Sequence, residues 1–147
     1  MLAKSTDIDL LIEMMQEFYV HERLKFDEQV ARKSLDEILN NDTLGIIHLI
    51  YCGEDVVGYV VLTFGYSLEF HGRDAFVDEL YLQEKYRRQG LGKQSLQLCE
   101  RICEQKGIKA LHLEVEKTNT IAQSVYRKAG YKDHDRYLLT KWINCNQ

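Results

Sequence analysis

The sequence predicts one mixed α/β domain, and three observations carry that prediction. Two helical patterns come first, before any strand signal. Two runs rich in β-branched and aromatic residues follow, separated by a short polar break. Strand and helix patterns then alternate to the end of the chain. Strands joined by short turns pair antiparallel, whereas a strand–helix–strand crossover brings the next strand in parallel. A chain of 147 residues is long enough to bury a core as a single domain spanning residues 1–147.

The first helix is expected in "STDIDLLIEMMQEFYVHE", where Ile8, Leu11, Ile12, Met15, Phe18 and Tyr19 recur at helical spacing behind N-cap candidates Ser5, Thr6 and Asp7. A second runs from Asp27 to about Leu39, with Val30, Ala31, Leu35 and Ile38 facing inward, until "NND" breaks it. "LGIIHLIYC" and "VVGYVVLTFGY" read as strands joined by the turn "GED", and "HGRD" ends the second. "AFVDELYL", Ala75 to Leu82, is a third strand. Leu91, Ser95, Leu98, Cys99, Ile102 and Cys103 then mark a helix, with Gly107 as its stop. "IKALHLEV" is the next strand. "NTIAQSVYRKAG" is a helix with Ala122, Val125, Tyr126 and Ala129 on one face, and "YLLTKWI" is a closing strand. There is no internal repeat, low-complexity tract or linker.

Composition narrows the function classes. A net charge of −4 argues against a protein whose main task is holding nucleic acid, which draws on clustered positive charge. No apolar run approaches a membrane span, and "MLAKSTDIDLL" lacks a signal-peptide apolar region, so the expected location is the cytoplasm with no membrane partner. Cys52, Cys99, Cys103 and Cys145 form no CxxC pair. They read as buried thiols in a reducing compartment, with no metal site.

"YRRQGLGKQS", Tyr86 to Ser95, concentrates two arginines, two glycines and a lysine just ahead of a helix. A helix N-terminus presents unpaired N–H groups and partial positive charge, and glycines let the backbone approach an anion. Either a phosphate cradle or a solvated basic turn fits this stretch alone. The Walker loop fails on spacing. The dinucleotide fingerprint has Ser95 where a third glycine belongs, and "QEKYRR" separates the strand from the first glycine.

Arg87-x-x-Gly90-x-Gly92 matches the Q/R-x-x-G-x-G/A motif of the GNAT superfamily of N-acetyltransferases. "VDELYLQEKYRRQGLGKQSLQLCERICEQKGIKALHLEVEKTNTIAQSVYRKAGY" resembles that family's central block nearly end to end. The resemblance covers roughly Leu44 to Trp142; the two N-terminal helices match in position only. It implies a central mixed, mostly antiparallel sheet flanked by helices, and a first strand that must lie in the short "MLAKS". It also implies acetyl-CoA, or another acyl-CoA, as donor. Arg87, Arg88, Gln89, Gly90, Leu91, Gly92 and Lys93 would hold the pyrophosphate, largely through backbone amides. Backbone groups of Leu80, Tyr81 and Leu82 would bond the pantetheine arm, and the segment from Asn119 to Tyr126 would flank the cofactor.

Acyl transfer to an amine needs an acceptor for the ammonium proton, a donor to the carbonyl oxygen and a proton for the departing thiolate. Glu79 is the candidate base, directly or through a water, because it interrupts an apolar strand. Asp78 competes, and strand alternation predicts that one of the two faces the site. The backbone N–H of Leu80 is the expected oxyanion donor. Tyr126 matches the tyrosine that serves the family as general acid; otherwise it is a core aromatic. Asn119 is a helix N-cap, a cofactor contact, or both.

The resemblance places the acceptor among the N-terminal helices, the loop after the second strand and the late strands. There Tyr19, Glu22, Tyr66, Glu69, Phe70 and Asp135 are acidic or aromatic, which suits a lysine-like or polyamine-like amine, small-molecule or peptidyl. Arg73 and Arg136 leave a carboxylate-bearing acceptor open. A non-catalytic acyl-CoA sensor is the competing class, and a homodimer through "YLLTKWI" is an expectation by analogy alone.

Overall fold

The computed structural model describes residues 1–144. Two compact units are present, Met1–Glu114 and Val115–Gln147. The first unit holds helices α1 (Ile8–His21), α2 (Glu28–Leu39) and α3 (Leu91–Gln105), and strands β1 (Gly45–Cys52), β2 (Asp55–Ser67), β3 (Gly72–Leu82) and β4 (Ala110–His112). The second holds helix α4 (Thr120–Lys128).

Helix starts follow their caps. Asp27 accepts from the Val30 amide at 3.2 Å to open α2, and Asn119 accepts from Ala122 at 3.1 Å to open α4. The sheet order is β1-β2-β3-β4, antiparallel across the first two pairs and parallel between β3 and β4, as the crossover through α3 requires. The expected N-terminal strand shrinks to a bridge between Leu2 and His48, supported by a 2.9 Å bond from the Ala3 amide to the Ile47 carbonyl.

Strand β2 explains the layering. Tyr59 and Val61 pack with Leu11, Met14, Met15, Ala31 and Leu35 from α1 and α2, while Val60 and Leu62 pack with Cys99 of α3 on the opposite face. Burial on both faces is why "VVGYVVL" reads as a continuous apolar run. Cys99 and Cys103 are buried thiols as expected, Cys52 is half-buried, and Cys145 lies outside the described residues.

Three strand expectations change. β3 begins at Gly72 rather than Ala75, because Gly72 and Arg73 already pair with Ser67 and Tyr66. β4 is confined to Ala110–His112, which pairs with Asp74–Phe76 of β3. Residues 137–143 form no strand. Tyr137, Leu138, Leu139, Trp142 and Ile143 are all exposed, and apolar residues without a neighbouring strand have no ladder to join.

Two backbone details shape the site. The β2–β3 register runs from Val61↔Glu79 directly to Leu62↔Val77, so Asp78 is the extra residue of a β-bulge. Nearby, a Cβ on Gly58 would stand 2.0 Å from the Tyr81 carbonyl oxygen. That contact is with backbone, so no rotamer relieves it. Gly58→Ala should lower stability by about 1–3 kcal/mol or more, visible as a depressed Tm; an unchanged Tm would mean that β2 and β3 sit further apart here.

Candidate active site

The bulge decides the site. Regular alternation would send Asp78 and Glu79 to opposite faces, but the extra residue turns both into one pocket of about 260 Å³. Of the two, Glu79 is half-buried and Asp78 is exposed. The pocket lies between α1, α2 and the sheet. Its polar lining is Tyr19, Ser34, Tyr59, Thr63, Asp78 and Glu79, and its walls include Leu11, Met15, Leu35, Ile38 and Val61. Among the described residues no Lys, Arg or His lines it.

Within the pocket Glu79 is held from two sides. The Tyr19 hydroxyl donates to Oε2 at 2.6 Å and the Tyr59 hydroxyl donates to Oε1 at 2.8 Å. Both phenols belong to an aromatic cluster. Phe18 packs edge-on against Tyr19 and Tyr59 at ring separations of 5.8 and 6.4 Å, and Phe26 packs against Tyr19 at 5.4 Å. Burial pushes the Glu79 carboxyl above its ordinary value; the two phenol hydrogen bonds pull it back, and Asp78 adds to the rise. Asp78 is exposed on the strand surface, and partial desolvation by its neighbours still pushes its carboxyl upward. Tyr19 and Tyr59 are driven far up, first by burial and then by the Glu79 carboxylate, so both remain protonated donors.

Beyond Glu79, β3 runs through Leu80, Tyr81 and Leu82 along Val60, Tyr59 and Gly58 of β2. On its other side β3 pairs with β4 only at Asp74, Ala75 and Phe76. From Val77 to Leu82 that edge therefore has no strand partner within the unit, and an extended ligand can bond to it. The Arg87 guanidinium closes the strand end: Nε donates to the Leu82 carbonyl at 2.8 Å, and the group lies 5.8 Å from the centre of the Tyr81 ring.

The loop then enters α3 with Arg88 at φ +63° and Gly90 at φ +85°. A glycine takes the second conformation without strain. Gly90 is the N-cap and no side chain caps the helix, so the first-turn amides of Leu91, Gly92 and Lys93 stay available as donors. Gln89 bonds the Lys85 carbonyl at 3.0 Å, while Arg88 and Lys93 are exposed. Ser95, which stands where a dinucleotide fingerprint has its third glycine, is buried and bonds the Leu91 carbonyl at 2.8 Å. Residues 9–131, which include this strand edge and helix start, match the model of the acetyltransferase (GNAT) family.

The chain belongs to the GNAT family.

Relatives support the assignment along most of the chain. The bovine (Bos taurus) thialysine N-epsilon-acetyltransferase is 28% identical over 89% of this chain and 82% of its own length. The spermidine N(1)-acetyltransferase of Thermoplasma acidophilum is 27% identical over 88% and 84%. The crystal structure of an integron cassette protein from the Cole Harbour Salt Marsh mobile metagenome superposes with a TM-score of 0.86 at 32% identity, covering 99% of this chain and 90% of that one. The chain is thus an acetyl-CoA-dependent N-acetyltransferase. The open β3 edge and the uncapped α3 start fit the extended pantetheine arm and the pyrophosphate of this GNAT donor.

The sequence-predicted acceptor residues separate. Tyr19 lines the Glu79 pocket. Glu22 is the C-cap of α1, 3.8 Å from the His21 ring. Tyr66, Glu69 and Phe70 sit at the β2–β3 turn, and Tyr66 lies about 10 Å along β2 from Thr63 of the pocket lining at about 3.4 Å per residue. It lines a separate depression of about 660 Å³ with Asp42, Thr43, Phe64 and Arg73. Phe70 packs on the His112 ring at 4.5 Å. None of Tyr66, Glu69 and Phe70 lines the Glu79 pocket.

In the second unit, Asn119 is confirmed as an N-cap. Tyr126 is half-buried, 6.2 Å from the Tyr131 ring, with its phenol pushed upward by burial. Asp135 is exposed. Sequence reasoning missed Tyr59 and the joint placement of Asp78 with Glu79. Tyr59 looks like any core aromatic, and the bulge that brings Asp78 beside Glu79 shows only in the pairing of β2 with β3.

Proposed function

We propose that this GNAT enzyme acetylates the primary amine of a lysine-like or polyamine-like acceptor, small-molecule or peptidyl, by direct transfer in a ternary complex. One observation carries the reading. The pocket holds two carboxylates against apolar walls and contains no basic side chain, so it suits a cationic nitrogen on a methylene stem. Its volume of about 260 Å³ suits a slender chain. The names of the thialysine and spermidine relatives point to amines of this shape.

Acetyl-CoA supplies the acetyl group as an activated thioester. Glu79 takes the ammonium proton, leaving the nitrogen neutral for attack, and its raised pKa brings its basicity closer to that of the amine. The Leu80 amide donates to the carbonyl oxygen. Tyr126 holds a proton on Oη for the departing sulfur, and the burial that raises its pKa keeps that proton in place at neutral pH. Backbone amides around Arg88 to Lys93 hold the pyrophosphate, with Asn119 alongside the cofactor.

Purified protein with acetyl-CoA and a panel of alkyl amines, diamines, lysine analogues and amino acids, monitored by thiol release, tests the proposal. Diamines and lysine-like amines should turn over. Acetyl-CoA binding without turnover on any amine would replace catalysis with a sensing role. Arg88→Glu combined with Lys93→Glu should raise the KM for acetyl-CoA about tenfold or more, as two charge-assisted contacts are reversed. An unchanged KM would move the pyrophosphate away from this loop.

A further inference from the structure

We infer that Tyr19 and Tyr59 are positioning residues that fix and ionise Glu79, each phenol holding one carboxylate oxygen; this rests on the reading of Glu79 as the base. The geometry is bilateral. Tyr19 on α1 donates to Oε2 at 2.6 Å and Tyr59 on β2 donates to Oε1 at 2.8 Å. A carboxylate held at both oxygens from different elements cannot swing, yet it keeps further lone pairs to receive a proton. The clamp also answers an electrostatic conflict. Burial and the neighbouring Asp78 favour the protonated acid, which would not act as a base, and two donated hydrogen bonds favour the ion.

The groups around Glu79 are few. Asp78 adjoins it on β3, Tyr19 faces it from α1 and Tyr59 from β2, with Tyr81 beyond, its ring centre 5.9 Å from that of Tyr59. α2 and β1 line the pocket with Ala31, Ser34, Leu35, Ile38 and Ile47, none of them titratable. The phenols are therefore the only neutral hydrogen-bond donors shown on the carboxylate among the described residues.

They also differ usefully. Tyr59 is 1% exposed and locked in the core, whereas Tyr19 is half-buried at the pocket wall. Losing the Tyr59 hydroxyl should change the base alone. Losing that of Tyr19 should change the base and also the surface that meets the acceptor.

The test is the pH profile of kcat/KM for Tyr19→Phe and Tyr59→Phe with the best amine from the screen, with Glu79→Gln beside them. Each Phe variant should move the acidic limb to higher pH by on the order of one unit, since a hydrogen bond to an ion is lost. Tyr19→Phe should in addition raise the acceptor KM several-fold, while Tyr59→Phe leaves it near wild type. Limbs that stay put in both Phe variants, while Glu79→Gln is nearly inactive, overturn the clamp and leave Glu79 as base. Full activity in Glu79→Gln would instead refute the base and the clamp together. Should Tyr59→Phe fold poorly, the partly exposed Tyr19→Phe still decides by its limb.

Discussion

Glu79→Gln is expected to lower kcat/KM at neutral pH by about 10²- to 10⁴-fold, the usual contribution of a positioned general base. The substitution keeps size and polarity, so the aromatic cluster of Phe18, Tyr19, Tyr59 and Phe26 should stay packed. Its pH signature is specific. In the wild type, activity falls with decreasing pH as Glu79 takes a proton. Because burial holds that pKa above the ordinary carboxylate value, the fall should begin above the ordinary carboxylate range. The variant has no such limb, and its residual rate should climb with pH as free amine accumulates. Stability moves the other way. A carboxyl whose folded pKa is raised favours the fold below its unfolded value, and that contribution is lost as pH rises through the folded value. The neutral amide removes this dependence, so the Tm of Glu79→Gln at neutral pH should equal or exceed wild type. A variant with normal rate and an unaltered acidic limb would identify another base, with Asp78 the next candidate.

Tyr126→Phe should lower kcat by about 10²-fold or more while leaving the KM for acetyl-CoA within a few-fold, because a general acid acts in the transition state. The ring is retained, so the edge contact with Tyr131 at 6.2 Å should survive. The lost rate should depend on the leaving group. A thioester whose thiol is more acidic needs less help from a proton donor, so the gap between variant and wild type should narrow with such a donor. An unchanged kcat would return Tyr126 to the role of a packing aromatic.

Much of the first unit was legible because its signals are periodic. Leu11, Met15 and Phe18 mark one face of α1, and the unbroken apolar run of β2 marks a strand buried on both sides. Gly90 stands at the α3 N-cap, where the left-handed φ favours glycine. What stayed hidden depends on pairing between distant segments. The bulge at Asp78 exists only in the register between β2 and β3, so no local pattern separates it from ordinary alternation. Tyr59 looked like filler because its function lies in one hydroxyl pointing at Glu79. The exposed apolar residues 137–143 satisfied the strand pattern, but a strand needs a partner, and composition does not supply one. Tyr66, Glu69 and Phe70 carry suitable chemistry but lie outside the lining of the Glu79 pocket.

In the proposed reaction, two carboxylates on one bulge receive a cationic alkyl amine for direct acetylation. Mass spectrometry of one reaction tests it most directly: purified protein, acetyl-CoA and a short alkyl diamine at neutral pH, followed over time. Acetylated diamine should appear in step with free coenzyme A thiol, the protein should carry no acetyl group at any time point, and Glu79→Gln should nearly abolish both products. Acetyl groups accumulating on the protein, or coenzyme A released with no acetylated amine, would contradict it.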